Sequence, residues 1–308
     1  MISRIALITG ATGFVGSHLA ESLVKKNYLV HAVVRPNSDI AFLKILDQKH
    51  IRIHVYENHN FQQIFSGISK NERPEIVFHL ASMVLGAHTY NDIPALVQSN
   101  ITFGMELLEC MKDYGIYRLV NTGTSWQHYD NEPYNPVNLY AATKQAFQDI
   151  EVYYEKACGF KIINLQLFDN YGPNDKRGKL LNLLKHVGET GISLDMTPGK
   201  QSMDLVHIDD LVHIDDLVQA FIMSGEYLLN EKYEYCGTYM VSSGKPINLK
   251  ELVNLVEKIT GHPIHIHWGA KAYREREVMK PWNTGKVLPN WHPNINLEEG
   301  LKSFLKNQ

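Results

Sequence analysis

Residues 5–16, IALITGATGFVG, decide the architecture. Residues 5–9 are a short apolar run, glycines stand at 10, 13 and 16, and residues 17–26 carry the spacing of an amphipathic helix. Strand, glycine turn and helix in that order are the setting in which a G-x-x-G-x-x-G pattern carries meaning. Glycine permits a tight turn, and its missing side chain lets the backbone approach a pyrophosphate. The helix behind it offers free N–H groups and the positive end of its dipole to that anion. The pattern predicts that Gly10, Thr12, Gly13, Phe14, Val15 and Gly16 cradle a dinucleotide; the alternative is a turn that serves packing alone.

Working outward, a second strand over residues 29–34 ends at Arg35-Pro36-Asn37-Ser38. An acidic residue here would bind the adenosine ribose hydroxyls, whereas arginine offers paired donors to a 2′-phosphate. Arg35 therefore points to NADP(H), with NAD(H) as the alternative. Apolar runs over 51–56, 76–82, 118–122 and 161–168 alternate with helical stretches, one of them running from Ser99 to about Asp113. Continuous apolar runs are the mark of parallel strands covered on both faces. The fold class is α/β, a doubly wound parallel sheet.

Residues 117–159 hold the chemistry. Thr124 follows the apolar run and so reaches the carboxyl end of a strand, where ligands of open α/β sheets collect. Tyr140 and Lys144 are four apart at the start of a helical pattern, which puts them on one face. A lysine ammonium beside a phenol is expected to lower its pKa and fit it for proton transfer near neutral pH. The competing reading is a surface tyrosine and lysine on an amphipathic helix.

The 308 residues suffice for one large α/β unit or two unequal lobes. A net charge of −3 excludes bulk nucleic-acid binding, which needs a basic face. Three cysteines without a C-x-x-C pair suit a reducing compartment. No apolar run approaches the roughly 20 residues of a membrane span. The expectation is a cytoplasmic protein, away from membranes.

Beyond residue 168 the strand–helix rhythm breaks. Lys176, Arg177 and Lys179 follow, as diphosphate ligands or as solvated loop charges. LVHIDD at 205–210 is repeated at once at 211–216. A six-residue period fits neither a helix nor a repeat fold, so this is a local duplication. One copy can form a strand and the other extend the next helix, or one can loop out. Residues 249–260 read as a helix stopped by Gly261, and 262–268 alternate like a strand. Its histidines at 262, 265 and 267 do not share a face, so no metal site is expected. Arg274 and Arg276 precede a last helix over 297–305.

Gly10/Gly13/Gly16, HLAS at 79–82, Asn100, Thr124, Tyr140-x-x-x-Lys144, YGP at 171–173 and VHIDD together resemble the extended short-chain dehydrogenase/reductases of the NAD-dependent epimerase/dehydratase group. The resemblance spans essentially the whole chain. NTGTSWQHY with PVNLYAATKQAF is most similar to nucleotide-sugar 4-ketoreductases of the CDP-abequose and CDP-paratose synthase type. It implies an NADP(H)-binding Rossmann domain over 1–168, to which 203–224 return, and a nucleotide-sugar lobe over 169–308. It also implies a homodimer formed through helices beginning near Ile101 and Tyr140, and a nucleotide-diphosphate sugar as substrate.

Residue by residue, the resemblance implies Thr124, Tyr140 and Lys144 as catalytic. Ser38, Leu80, Ala81, Ser82, Asn100 and Thr122 join the cofactor contacts. Ser82, Ser125, Trp126, Asp169, Asn170, Lys179 and Arg276 become substrate contacts. Departures are as telling. Dehydratases carry an acid one or two residues after the threonine, where Ser125 and Trp126 stand here; 3,5-epimerising reductases carry a cysteine at Ser125. Asp169 replaces the asparagine usual for substrate phosphate, and Gln166 replaces an arginine. The expectation is a 4-ketoreductase; the alternatives are a 4-epimerase with tightly bound NAD, then a 4,6-dehydratase or a non-catalytic dinucleotide sensor.

Overall fold

In the computed structural model of the chain, the described residues are 2–173, 175, 177–203, 205–207, 216–232 and 234–306. Strands are β1 (Arg4–Thr9), β2 (Tyr28–Val34), β3 (Ile51–Val55), β4 (Ile76–His79), β5 (Arg118–Thr124), β6 (Lys161–Leu167), β7 (Asp169–Tyr171), β8 (Leu194–Met196), β9 (Ser202–Met203), β10 (Leu205–His207), β11 (Gly237–Val241), β12 (Ile247–Asn248) and β13 (Ile266–Trp268). Helices are α1 (Phe14–Lys25), α2 (Ala41–Ile45), α3 (Phe61–Gly67), α4 (Ile93–Val97), α5 (Phe103–Asp113), α6 (Leu139–Cys158), α7 (Leu180–Thr190), α8 (Asp216–Leu229), α9 (Leu249–Thr260) and α10 (Leu297–Lys306).

Seven strands form one parallel sheet in the order β11-β6-β5-β4-β1-β2-β3. β2 is buried at every position, as a strand covered by helices on both faces must be. One face packs α1 and α8 over Ile8, Val30, Phe78 and Ile163. The other packs α3, α5 and α6 over Leu7, Val77, Leu119 and Ile162. The order reverses between β1 and β4, which is where a doubly wound sheet opens a binding crevice.

α6 carries the tyrosine and lysine, and its ends are fixed locally. Asn138 caps it by accepting from the Ala141 N–H at 2.9 Å, and Gly159 ends it in the left-handed region at φ 76°. Its buried face presents Tyr140, Lys144, Phe147 and Glu151 to the sheet. The helix expected from Ser99 begins earlier: α4 starts at Ile93 with Pro94 in its first turn, and runs into α5 through a π turn at Gln98–Thr102.

Two differences concern organisation. β11 is absent from the sequence reading, because GTYMV is short, yet it pairs with β6 as the sheet's seventh strand. Trp282, Leu288 and Trp291 also join the sheet's core. The chain therefore meets the sheet side not at the expected return over 203–224 alone, where α8 packs, but again at 237–241 and 282–291. The smaller lobe has its own core, in which α7, α9 and α10 meet through Leu184, Leu252, Val256, Leu301 and Phe304. β8 pairs with β13 beside it. Of the expected strand over 262–268, Ile266–Trp268 pairs. In the duplication, 205–207 pair with β7, while 208–215 lie outside the described residues.

Candidate active site

The glycine turn occupies the crevice between β1 and β4. Gly10 adopts φ +72°, and a Cβ there would lie 2.7 Å from the Ala81 nitrogen; one on Gly16 would lie 2.1 Å from the Gly10 carbonyl oxygen. The turn, the helix and segment 80–82 can meet this closely because these positions lack side chains. Gly13 caps α1 without a side-chain hydrogen bond, and the first turn holds no acidic residue, so its N–H groups are free for an anion.

A cavity of about 560 Å³ opens beside the turn. Gly10, Thr12, Gly13, Val34, Arg35, Tyr56 and residues 80–83 line much of it. Arg35 is its one charged lining residue among those described. The cavity, the bare helix terminus and the close-packed glycines suit a dinucleotide.

Thr124 ends β5 and caps a short turn at Ser125–Gln127, accepting from the Trp126 N–H at 3.3 Å. Tyr140 is buried, and its hydroxyl faces the side chains of Ser82 and Thr124. Burial pushes its phenol up to about 12, with those two side chains opposing. The expected lowering by Lys144 is thus overridden: removing the phenolate from water dominates, and Lys144 does not figure among the groups that shift it. Lys144 itself is 1% exposed. Burial pulls it down to about 8, against an opposing pull from Glu151. A neutral phenol beside two hydroxyls is a proton donor at neutral pH.

A second cavity, of about 620 Å³, runs from Ser125 and Trp126 into the smaller lobe, past Phe168, Asp169, Met203, Lys271, Arg274 and Trp282. His128 stacks on Trp282 at 3.8 Å, and Arg274 sits over the Trp126 ring at 5.9 Å. Two cations and two indoles thus line this space, and one of those indoles, Trp126, lies edge-on to the Tyr140 ring at 6.4 Å.

The description "NAD dependent epimerase/dehydratase family" matches residues 6–233, most of the chain. The chain belongs to that family. It is an enzyme of the short-chain dehydrogenase/reductase class. Among curated relatives of this epimerase/dehydratase chain, "CDP-abequose synthase" of Salmonella muenchen is 27% identical over 316 residues, covering 99% of this chain and 98% of the relative. "UDP-glucuronate 4-epimerase" of Thermodesulfobacterium geofontis (strain OPF15) is 26% identical, covering 96% and 93%. The solved UDP-N-acetylglucosamine 4-epimerase from Methanobrevibacter ruminantium M1, in complex with UDP-N-acetylmuramic acid, superposes with a TM-score of 0.82 at 19% identity, covering 99% and 98%. UDP-glucuronic acid 4-epimerase from Bacillus cereus, in complex with UDP-glucuronic acid and NAD, gives 0.80 at 20%, covering 97% of each chain. At these identities the superpositions speak for the fold.

Within this family member, the residues singled out in the sequence divide. Gly10, Thr12, Gly13, Arg35, Leu80, Ala81 and Ser82 line the first cavity; Ser125, Trp126 and Asp169 line the second. Others support instead of lining. Gly16 packs against the Gly10 carbonyl, Val15 against the core, and Phe14 against the Arg177 guanidinium at 4.0 Å. The Thr122 hydroxyl donates to the His79 carbonyl, and the Ser38 N–H closes a turn onto Arg35. Asn100 is a clamp: its amide bonds the Ser82 hydroxyl, the Met83 backbone and the Thr143 hydroxyl, fixing segment 80–83 against α6.

Asn170 is buried and donates to the Phe168 carbonyl, and Lys179 pairs with Asp169 at 3.4 Å. Arg276 does not line the cavity itself but sits behind it, over the ring of the lining residue Tyr129 at 4.4 Å and bonded to Asn135; it is Arg274 that lines the space. Which of two arginines in an irregular segment reaches the cavity is not resolved by spacing. Lys271, His128 and Trp282 also escaped the sequence reading; the dense run of charge and aromatics over 271–282 was the available signal.

Proposed function

We propose that the chain reduces the C4 keto group of a nucleotide-linked 4-keto-6-deoxy or dideoxy sugar, using NADPH. What carries the reading is Tyr140, buried as a neutral phenol between Ser82, which lines the first cavity, and Thr124, whose neighbours Ser125 and Trp126 line the second. A bound NADPH supplies the hydride. Tyr140 gives its proton to the developing C4 alkoxide, and the Thr124 hydroxyl holds that oxygen. Lys144 would carry positive charge on the same helix face and would hold the nicotinamide ribose hydroxyls. Gly10–Gly16 hold the pyrophosphate, and Arg35 holds the 2′-phosphate.

Two observations favour reduction over dehydration. Ser125 and Trp126 line the sugar cavity at the positions where a dehydratase needs its acid and base, and neither can abstract a proton at C5. A tyrosine held neutral is also ready to donate, as reduction requires first, whereas oxidation requires the phenolate first. The aromatic wall of Trp126, His128, Phe168 and Trp282 suits a deoxygenated ring face. Lys271 and Arg274 suit the diphosphate. A homodimer through α4–α6 is supported by exposed Ile93, Val97, Met105, Val152 and Tyr153 on those helices.

The second reading is a 4-epimerase that keeps NAD bound, for which the 4-epimerases among the relatives speak. The test is a panel of nucleotide 4-keto sugars with NADPH and with NADH, followed by NMR of the products. Tyr140→Phe should lose about 10²–10⁴-fold in turnover, the usual worth of a general acid. Protein that purifies with stoichiometric NAD and ignores added NADPH would overturn the reduction in favour of epimerisation.

A further inference from the structure

A largely buried polar cluster lies under α6, against β5 and β6. Gln127, fully buried, accepts from the Thr124 N–H at 3.0 Å and donates to Gln148 at 2.9 Å and to Gln145 at 2.8 Å. Gln148 donates to the Asn164 oxygen at 3.2 Å, as does Asn121 at 2.8 Å. Asn164 then donates to the Glu151 carboxylate at 2.8 Å. The other Glu151 oxygen is buried with no hydrogen-bond partner.

A lone carboxylate in such a place is costly unless a positive charge offsets it. Lys144, equally buried, lies seven residues earlier on the same helix face, two turns or about 10 Å along the axis. The two couple electrostatically: Lys144 favours the carboxylate and Glu151 favours the ammonium. Of the other ionisable groups facing the pair, His79 on β4 is held neutral by burial, and Glu155 faces Glu151 from the next turn.

We propose that Glu151 is a positioning residue that sets the charge of Lys144, and that Gln127, Gln148 and Asn164 tie its carboxylate to the backbone of Thr124. The inference rests on the reading above for the role of Lys144 in turnover. One buried unit then serves both flanks of Tyr140: its carboxylate, as it ionises, favours the charged lysine, and its amides hold the threonine in place. Burial pushes Glu151 up to about 8 and pulls Lys144 down to about 8, so the pair gains and loses its proton close to working pH.

The test uses Glu151→Gln, which keeps shape and hydrogen bonding but removes the charge. In a ¹⁵Nζ lysine titration, with Lys144 assigned by its loss in Lys144→Arg, the midpoint should fall by about one pH unit or more. The alkaline limb of the kcat/KM profile for NADPH-dependent reduction should move down with it, and Glu151→Asp should restore both. Gln148→Glu adds a carboxylate one turn from Lys144 and should raise the midpoint, which keeps the test decisive if Glu151→Gln does not fold. Unmoved lysine midpoints in these variants, with superimposable profiles, would reduce Glu151 to a packing role. The titration needs no substrate. A shifted midpoint in a protein that turns over no keto sugar would sink the reductase reading and leave this one standing.

Discussion

Adding one methyl group to the glycine turn should separate cofactor binding from folding in a graded way. At Gly16 the new Cβ would stand 2.1 Å from the Gly10 carbonyl oxygen and 2.8 Å from its carbon, both backbone atoms that no rotamer change can move. An ordinary carbon–oxygen contact is about 3.3–3.6 Å, so α1 must retreat from β1 by roughly 1 Å. Overpacking of this kind costs about 1–3 kcal/mol of stability. The larger effect falls on the ligand: the same retreat stretches N–H contacts to the pyrophosphate beyond the length at which they count. A hydrogen bond to a charged group contributes about 1.5–3 kcal/mol, so one lost contact raises the NADPH Kd about tenfold or more. Gly10→Ala meets the Ala81 nitrogen at 2.7 Å and must also hold φ +72°. Left-handed backbone adds roughly 1–2 kcal/mol there. Gly13→Ala meets the Gly10 oxygen at 3.2 Å and should be mildest. Calorimetric titration with NADPH, beside thermal melts, reads the series. A Gly16→Ala protein with native affinity and native melting temperature would refute the claim that this backbone contact sets the cradle.

Three further outcomes follow from other parts of the structure. Arg35→Asp places a carboxylate where the 2′-phosphate is proposed to sit; NADPH affinity should fall about tenfold or more while NADH affinity holds or improves, and equal losses for both would remove the NADP(H) assignment. His31 is bonded to His54 and to the Glu72 carbonyl, and burial pulls it down to about 4 from 6.5. The folded protein then binds fewer protons than the unfolded chain in that window, so His31 costs stability as pH falls from 6.5 toward 4. Melting curves that decline equally steeply there in His31→Gln would assign the acid sensitivity elsewhere. Trp282 is buried between His128 and Phe168, so Trp282→Ala should cost about 3–5 kcal/mol in denaturant unfolding and raise the sugar KM; an unchanged KM would remove Trp282 from the sugar wall.

The residues divide cleanly between what was legible in the chain and what was not. Glycine at 10, 13 and 16 is a statement about backbone, and backbone requirements are local, so strand, turn and helix could be read in place. The same holds for α9, whose span and stop at Gly261 follow from its apolar period and a left-handed cap at φ 73°. Tyr140 and Lys144 could be paired because helical geometry fixes which residues share a face. Ser82, by contrast, reaches Tyr140 from 58 positions earlier, brought there by β4 and the Asn100 clamp. The protonation state of Tyr140 was read with the wrong sign from its neighbour, since burial, which outweighs that neighbour, is a property of the whole packed site.

The sequence by itself determined the parallel sheet, the glycine turn at its crevice and the pairing of Tyr140 with Lys144 on one helix face, because each depends on spacing along one element. Tertiary structure decided that GTYMV adds the sheet's seventh strand, that Arg274 and not Arg276 lines the second cavity, and that Trp282 stacks on His128 across the chain. It also decided that a carboxylate two turns beyond Lys144 shares its burial. Those outcomes turn on which surfaces exclude water against one another, and no pattern confined to neighbouring residues encodes that.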